Sequence, residues 1–172
     1  MRYLEKYISE QTEDVFNWTG KLILDVPQEK WYDTPEIVLT NLAWQIGHIT
    51  LSQYFYTVFL IQGPDIQLAE TISMKRYSSL FFKGDKINTI KEAITVDELL
   101  FNWRLLQNKT MEIITALKQN DLNKPVFTLP KPHPFVKIIE DSISWHTKHT
   151  MWHNGQIGLL KRLIRQPYNF GM

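Results

Sequence analysis

The chain has no cysteine among its 172 residues. That absence excludes disulfides, zinc–thiolate sites and a cysteine nucleophile together, so any metal must be held through nitrogen and oxygen. An excess of one charge is missing too: nineteen Lys and Arg face eighteen Asp and Glu, for a formal net charge of +1. Nonspecific phosphate binding draws on a strong positive excess, so no nucleic-acid partner is expected. The longest apolar run, Val58 to Ile61, falls far short of the ~20 residues that cross a bilayer, and no membrane association is expected. The N-terminus, Met1-Arg2-Tyr3-Leu4-Glu5-Lys6-Tyr7, carries charges where a signal peptide has its apolar core, which predicts a cytoplasmic protein. No strand-like alternation, internal repeat or low-complexity tract is found.

What is present is helical periodicity. The length suits one domain, residues 1–172, with a single sizeable core. The six tryptophans, spread from Trp18 to Trp152, speak for a packed interior rather than disorder. Leu4, Tyr7, Ile8, Gln11, Val15 and Trp18 recur at helical spacing, with Gly20 as the stop. After a loop from Val26 to Pro35, a second helix is predicted from about Thr40 to Gln62, closed by Gly63-Pro64. From Asp65 to Thr95 the periodicity is weak. This stretch reads as a long solvated connection with a few buried aromatics, and it carries Lys75, Arg76, Lys83 and Lys86. Thr95-Val96-Asp97-Glu98 is a capping box, with a third helix to about Gln119. Beyond the proline-rich loop (Pro125, Pro130, Pro132, Pro134) a fourth helix is predicted from Phe135 to about Arg165. The fold class is therefore all-α, a four-helix bundle. The long connection between helices two and three permits an up-down-down-up order.

The chemistry lies in the histidines. His149 and His153 are four residues apart, a spacing that stacks two imidazoles on one helical face within reach of a single divalent ion. His146 lies on the same stripe at i−3 from His149, so spacing alone leaves His149/His153 and His146/His149 both open as ligand pairs. His48 sits on the second helix among Trp44, Leu51, Ser52 and Phe55, a mostly apolar face that turns it toward the bundle. His133, between prolines, is expected to be solvated. The competing view is a core-facing stripe whose polar groups bond internally. Against it, burying several unpartnered imidazoles costs about 1–3 kcal/mol each, a cost that a metal removes.

The pattern His149-x-x-x-His153-x-Gly155-Gln156 on the last helix, with Trp44-x-x-Gly47-His48 on the second about a hundred residues earlier, resembles the DinB/YfiT-like metalloenzyme superfamily over nearly the whole chain. The resemblance implies a divalent ion, zinc or nickel, held by His48, His149 and His153, which decides against His146. Asn154 stands where relatives often carry arginine or alanine, at a position pointing away from the metal. Some members of that superfamily are transferases and isomerases that use low-molecular-weight thiols, and many are homodimers. By resemblance, this chain is expected to dimerise and to act on a small-molecule substrate, either as a thiol S-transferase or as a hydrolase. Three neutral imidazoles leave the charge of the ion uncompensated, which favours deprotonation of a bound water or thiol. Gln45, Ser52 and Gln156, each about a turn from a ligand, are candidates for the surrounding layer. No carboxylate is placed by spacing beside the histidines. The basic stretch from Lys75 to Lys86 is a candidate for holding the anionic part of a thiol. The alternative function is a noncatalytic metal-binding, dimerisation or ligand-binding bundle.

Overall fold

A computed structural model describes residues 3–169, without the side chains of Tyr3, Asp85 and Lys86. The regular structure of the described residues is all helical, with no strand and one isolated bridge, Pro125 to Ile138. Nine α-helical segments follow in chain order: α1 (Tyr3–Ile23), α2 (Leu42–Gln53), α3 (Leu60–Gln62), α4 (Ile66–Thr71), α5 (Met74–Phe81), α6 (Ile90–Ala93), α7 (Val96–Ala116), α8 (Gln119–Leu122) and α9 (Ile139–Ile164). A π-helical turn, Tyr54–Phe59, joins α2 to α3 without a break. Among the described residues, no helix is long and apolar enough to cross a membrane.

The long helices pack in a closed circuit, α1 against α9 and α7, and α2 against α7 and α9. The core between them is apolar and fully buried, with Leu42, Ile46, Ile49, Leu99, Leu106 and Ile157 all at 0% exposure. At about 25 cal/mol per Å² of apolar surface removed from water, each such side chain contributes roughly 1.5–3 kcal/mol.

Several boundaries differ from the periodicity reading. α1 runs past Gly20 to Ile23, because a glycine inside a helix costs only about 1 kcal/mol, too little to end it. The third helix ends at Ala116, where Leu117 turns extended. Its start is as expected, Thr95 Oγ1 accepting from the Glu98 N–H at 3.2 Å. The last helix begins at Ile139 rather than Phe135, with Asp141 accepting from the Lys137 and Ile138 N–H groups. Gly63 ends α3 with φ +86°, and the ring of Phe127 packs 3.1 Å from its absent Cβ.

The largest correction concerns residues 65–95. Instead of a solvated connection they form α4, α5, a 3₁₀ segment (Gly84–Thr89) and α6. Each is too short for a 3.6-residue period to accumulate. α5 buries Met74, Tyr77, Leu80 and Phe81, and it packs on α2.

Candidate metal centre

α2 starts where Asn41 accepts from the Trp44 N–H at 2.9 Å, which sets the helical phase. Trp44, Gln45, His48 and Ser52 then share the face turned to α9, where His149 and His153 lie one turn apart. One nitrogen from each of His48, His149 and His153 falls within 4.8 Å of the others. The Nε2 atoms of His149 and His153 are 3.1 Å apart. A tetrahedral ion with bonds of ~2.05 Å to nitrogen spaces those nitrogens ~3.3 Å apart, so the pair is already set near a coordination edge.

The outer nitrogens fix the tautomers. His48 Nδ1 donates to the Phe81 carbonyl at 2.8 Å, and His153 Nδ1 donates to Gln45 Oε1 at 2.6 Å. Both rings therefore present an Nε2 lone pair inward. Gln45 is itself locked, its Nε2 donating to Thr40 Oγ1 at 3.1 Å and to Gln156 Oε1 at 3.0 Å. Ser52 Oγ lies 3.5 Å from His48 Nε2. His149 Nδ1 is buried and makes no hydrogen bond. Rings enclose the group: Trp44 stacks on His48 at 4.8 Å, while Tyr56 and Trp145 stand 6.3 and 6.2 Å from His149.

Desolvation dominates the electrostatics. Burial lowers the pKa of His48, opposed by the Phe81 carbonyl. Burial, then the neighbouring histidines, push His149 down to about 4 and His153 to about 3. At neutral pH all three rings are neutral, the form that binds metal. No Asp or Glu joins the group among the described residues.

A family model described as the DinB superfamily matches residues 11–157, from within α1 to within α9. The chain belongs to the DinB superfamily. A search of the curated proteins returns no match. In this DinB chain the donor set suits a borderline metal: three imidazoles, two of them oriented through their outer nitrogens.

His146 is not part of the group. It is fully buried toward α1, 5.8 Å from the Phe16 ring, and burial holds its pKa at about 3. Asn154 also faces α1, donating to the Val15 carbonyl at 3.3 Å and accepting from Thr19 Oγ1 at 2.8 Å. His133, expected in solvent, is half-buried against Tyr56 and Phe135 because the proline-rich loop folds back onto α9. Of the basic stretch, Arg76 is occupied by Glu98 at 2.6 Å and by the Ala93 carbonyl, and the Lys86 side chain lies outside the described residues.

The sequence reading missed three contributors. Phe81 acts through a backbone carbonyl, which carries no residue signature. Thr40 and Tyr56 enter only because the helix start and the π turn bring them to the site. Burial raises the Tyr56 hydroxyl pKa, and the nearby Trp145 N–H opposes that rise.

Proposed function

We propose that this protein is a metal-dependent enzyme in which His48, His149 and His153 hold one divalent ion, zinc or nickel. What supports this reading is the convergence of three neutral imidazoles, two of them with outer nitrogens pinned by Phe81 and Gln45. Bound there, such an ion supplies the Lewis acidity that favours the deprotonated form of a thiol or a water. The residues themselves orient and protect. Phe81 and Gln45 hold the ring planes, burial keeps protons off the nitrogens, and Trp44, Tyr56 and Trp145 exclude bulk water. Ser52 and Gln156 line the surrounding layer.

Three protein ligands leave a position open for substrate, and no fourth His, Asp or Glu among the described residues closes it. The proposed reaction is attack of a low-molecular-weight thiol, after loss of its proton, on a carbon of a small electrophile, forming a C–S bond as the electrophile's leaving group departs and takes up a proton, with hydrolysis as its counterpart when water takes the thiol's place. Having no cysteine, the chain would take the sulfur nucleophile from a cosubstrate. The proposal includes a single domain over 1–172, a four-helix bundle in up-down-down-up order and a cytoplasmic location. The circuit of α1, α2, α7 and α9 supports the bundle. It also includes a homodimer, supported by the exposed Met151, Trp152, Leu159 and Leu163 along α9.

Elemental analysis of tag-free protein beside His48→Ala and His149→Ala tests the centre. The expected result is about one ion per chain in the wild type, lost in both variants. Wild-type protein that holds no metal after reconstitution and dialysis overturns the reading. Activity toward a thiol-reactive electrophile that persists in His48→Ala overturns the thiol chemistry alone.

A further inference from the structure

We infer that Tyr56 is the substrate-binding hydrogen-bond donor of the three-histidine site, its hydroxyl held by His133 and offered to an acceptor oxygen, a carboxylate or carbonyl, on the substrate. This rests on the reading of that site as a metal centre with an open position.

His133 fixes the direction of the contact. Its Nδ1 accepts from the Val136 N–H at 3.1 Å and lies 3.5 Å from the Phe135 N–H. A ring nitrogen that accepts from the backbone carries no proton, so the proton of the neutral imidazole is on Nε2. That nitrogen is 3.3 Å from the Tyr56 hydroxyl oxygen. His133 therefore donates and Tyr56 accepts, and the phenol's own proton is not used in the contact. A donor directed at a hydroxyl oxygen polarises its O–H bond and makes it a stronger donor.

The position fits the role. The Tyr56 ring stands 6.3 Å from the His149 ring, within the range of aromatic rings in direct contact. Its backbone carbonyl accepts from Ser142 Oγ at 2.7 Å, which ties the turn to α9. Tyr56 lies in the π-helical turn Tyr54–Phe59, and π turns inside α-helices recur at functional sites. Backbone, ring and hydroxyl oxygen of Tyr56 are thus each fixed, and its phenolic proton remains to be donated beside the His149 ring. Stapling the proline-rich loop to the π turn uses only the hydroxyl oxygen and leaves the phenolic proton to be donated elsewhere.

The test uses cobalt(II)-loaded protein titrated with acetate, followed by its visible spectrum, for the wild type, Tyr56→Phe and His133→Ala. Cobalt affinity and Tm are measured on the same samples. The expected result is acetate binding weakened about tenfold or more in Tyr56→Phe, as for a lost hydrogen bond to a charged group. A smaller weakening is expected in His133→Ala, with cobalt affinity and Tm unchanged in Tyr56→Phe. Equal acetate affinity in Tyr56→Phe and wild type overturns the proposal and leaves the metal reading standing. A parallel fall in cobalt affinity or Tm in Tyr56→Phe assigns the residue a structural role and also overturns it. Wild-type protein that takes up no cobalt overturns both.

Discussion

Gly47, next to the proposed ligand His48, should not tolerate even a methyl group. A Cβ built there stands 2.3, 2.4 and 2.5 Å from three ring carbons of Phe81, where contact between carbons needs about 3.5–4.0 Å. The ring cannot simply retreat, since Phe81 is fully buried and packed 5.1 Å from Tyr77. Two effects oppose each other in Gly47→Ala. Alanine improves the helix by about 0.8–1 kcal/mol. Overpacking a full core costs about 1–3 kcal/mol, and this clash belongs at the top of that range. The net expectation is a loss of about 1–2 kcal/mol, or roughly 2–8 °C in Tm for a chain of this length.

The same shift reaches the histidines, because the Phe81 carbonyl holds His48 Nδ1. Losing such a partner typically lowers metal affinity about 10- to 100-fold. The assay pairs thermal unfolding of metal-free protein with a competition titration for zinc. Gly155→Ala is the control: a Cβ at that exposed position meets nothing within 4 Å, so Tm should rise. Adding Phe81→Leu to Gly47→Ala should recover part of the loss, since the two sites share one clash. If Gly47→Ala raises Tm as Gly155→Ala does, the packing argument is wrong.

Gln45→Leu should cut zinc affinity by about 10- to 100-fold while leaving His48 held by Phe81, because it removes the acceptor of His153 Nδ1; equal affinity by competition titration would show that His153 needs no orienting partner. In metal-free protein, His146 should make folding acid-sensitive. Its folded pKa of about 3 lies below the usual histidine value near 6.5, so the unfolded chain takes up the proton first. Stability is then full above about pH 6.5 and falls by up to ~1.4 kcal/mol per pH unit as pH drops toward 3. Denaturant unfolding at several pH values should give a shallower slope for His146→Leu, and identical slopes would refute the assignment.

How much of this was legible in the sequence depends on what kind of group does the work. His48, His149 and His153 announce themselves because imidazoles at one-turn spacing on an apolar face are rare and chemically specific. The long helices are legible for a similar reason: α7 repeats its apolar stripe over five turns and opens with a side-chain cap at Thr95. α5 fails on both counts. It is two turns long, and its N-cap, Ser73, makes no side-chain capping bond and sits in the left-handed region at φ +57°. Tyr56 was hidden because counting at 3.6 residues per turn assumes an α-helix, and the π turn changes the count.

The two glycines of the motifs show why residue identity alone misleads about purpose. Gly47 and Gly155 each sit beside a proposed ligand, and in the sequence they look equivalent. In the fold, Gly47 is the floor on which Phe81 rests, and through the Phe81 carbonyl it bears on the orientation of His48. Gly155 faces open space and touches neither histidine. The site is thus assembled from three distant pieces: α2, α9 and the end of α5. The α5 piece contributes a backbone oxygen that any residue could supply. The fit at that corner rests on the glycine that makes room for the Phe81 ring and so lets the end of α5 come close. Phe81→Leu alone should therefore hold His48 better than Gly47→Ala does, although it removes carbons from the core where Gly47→Ala adds one.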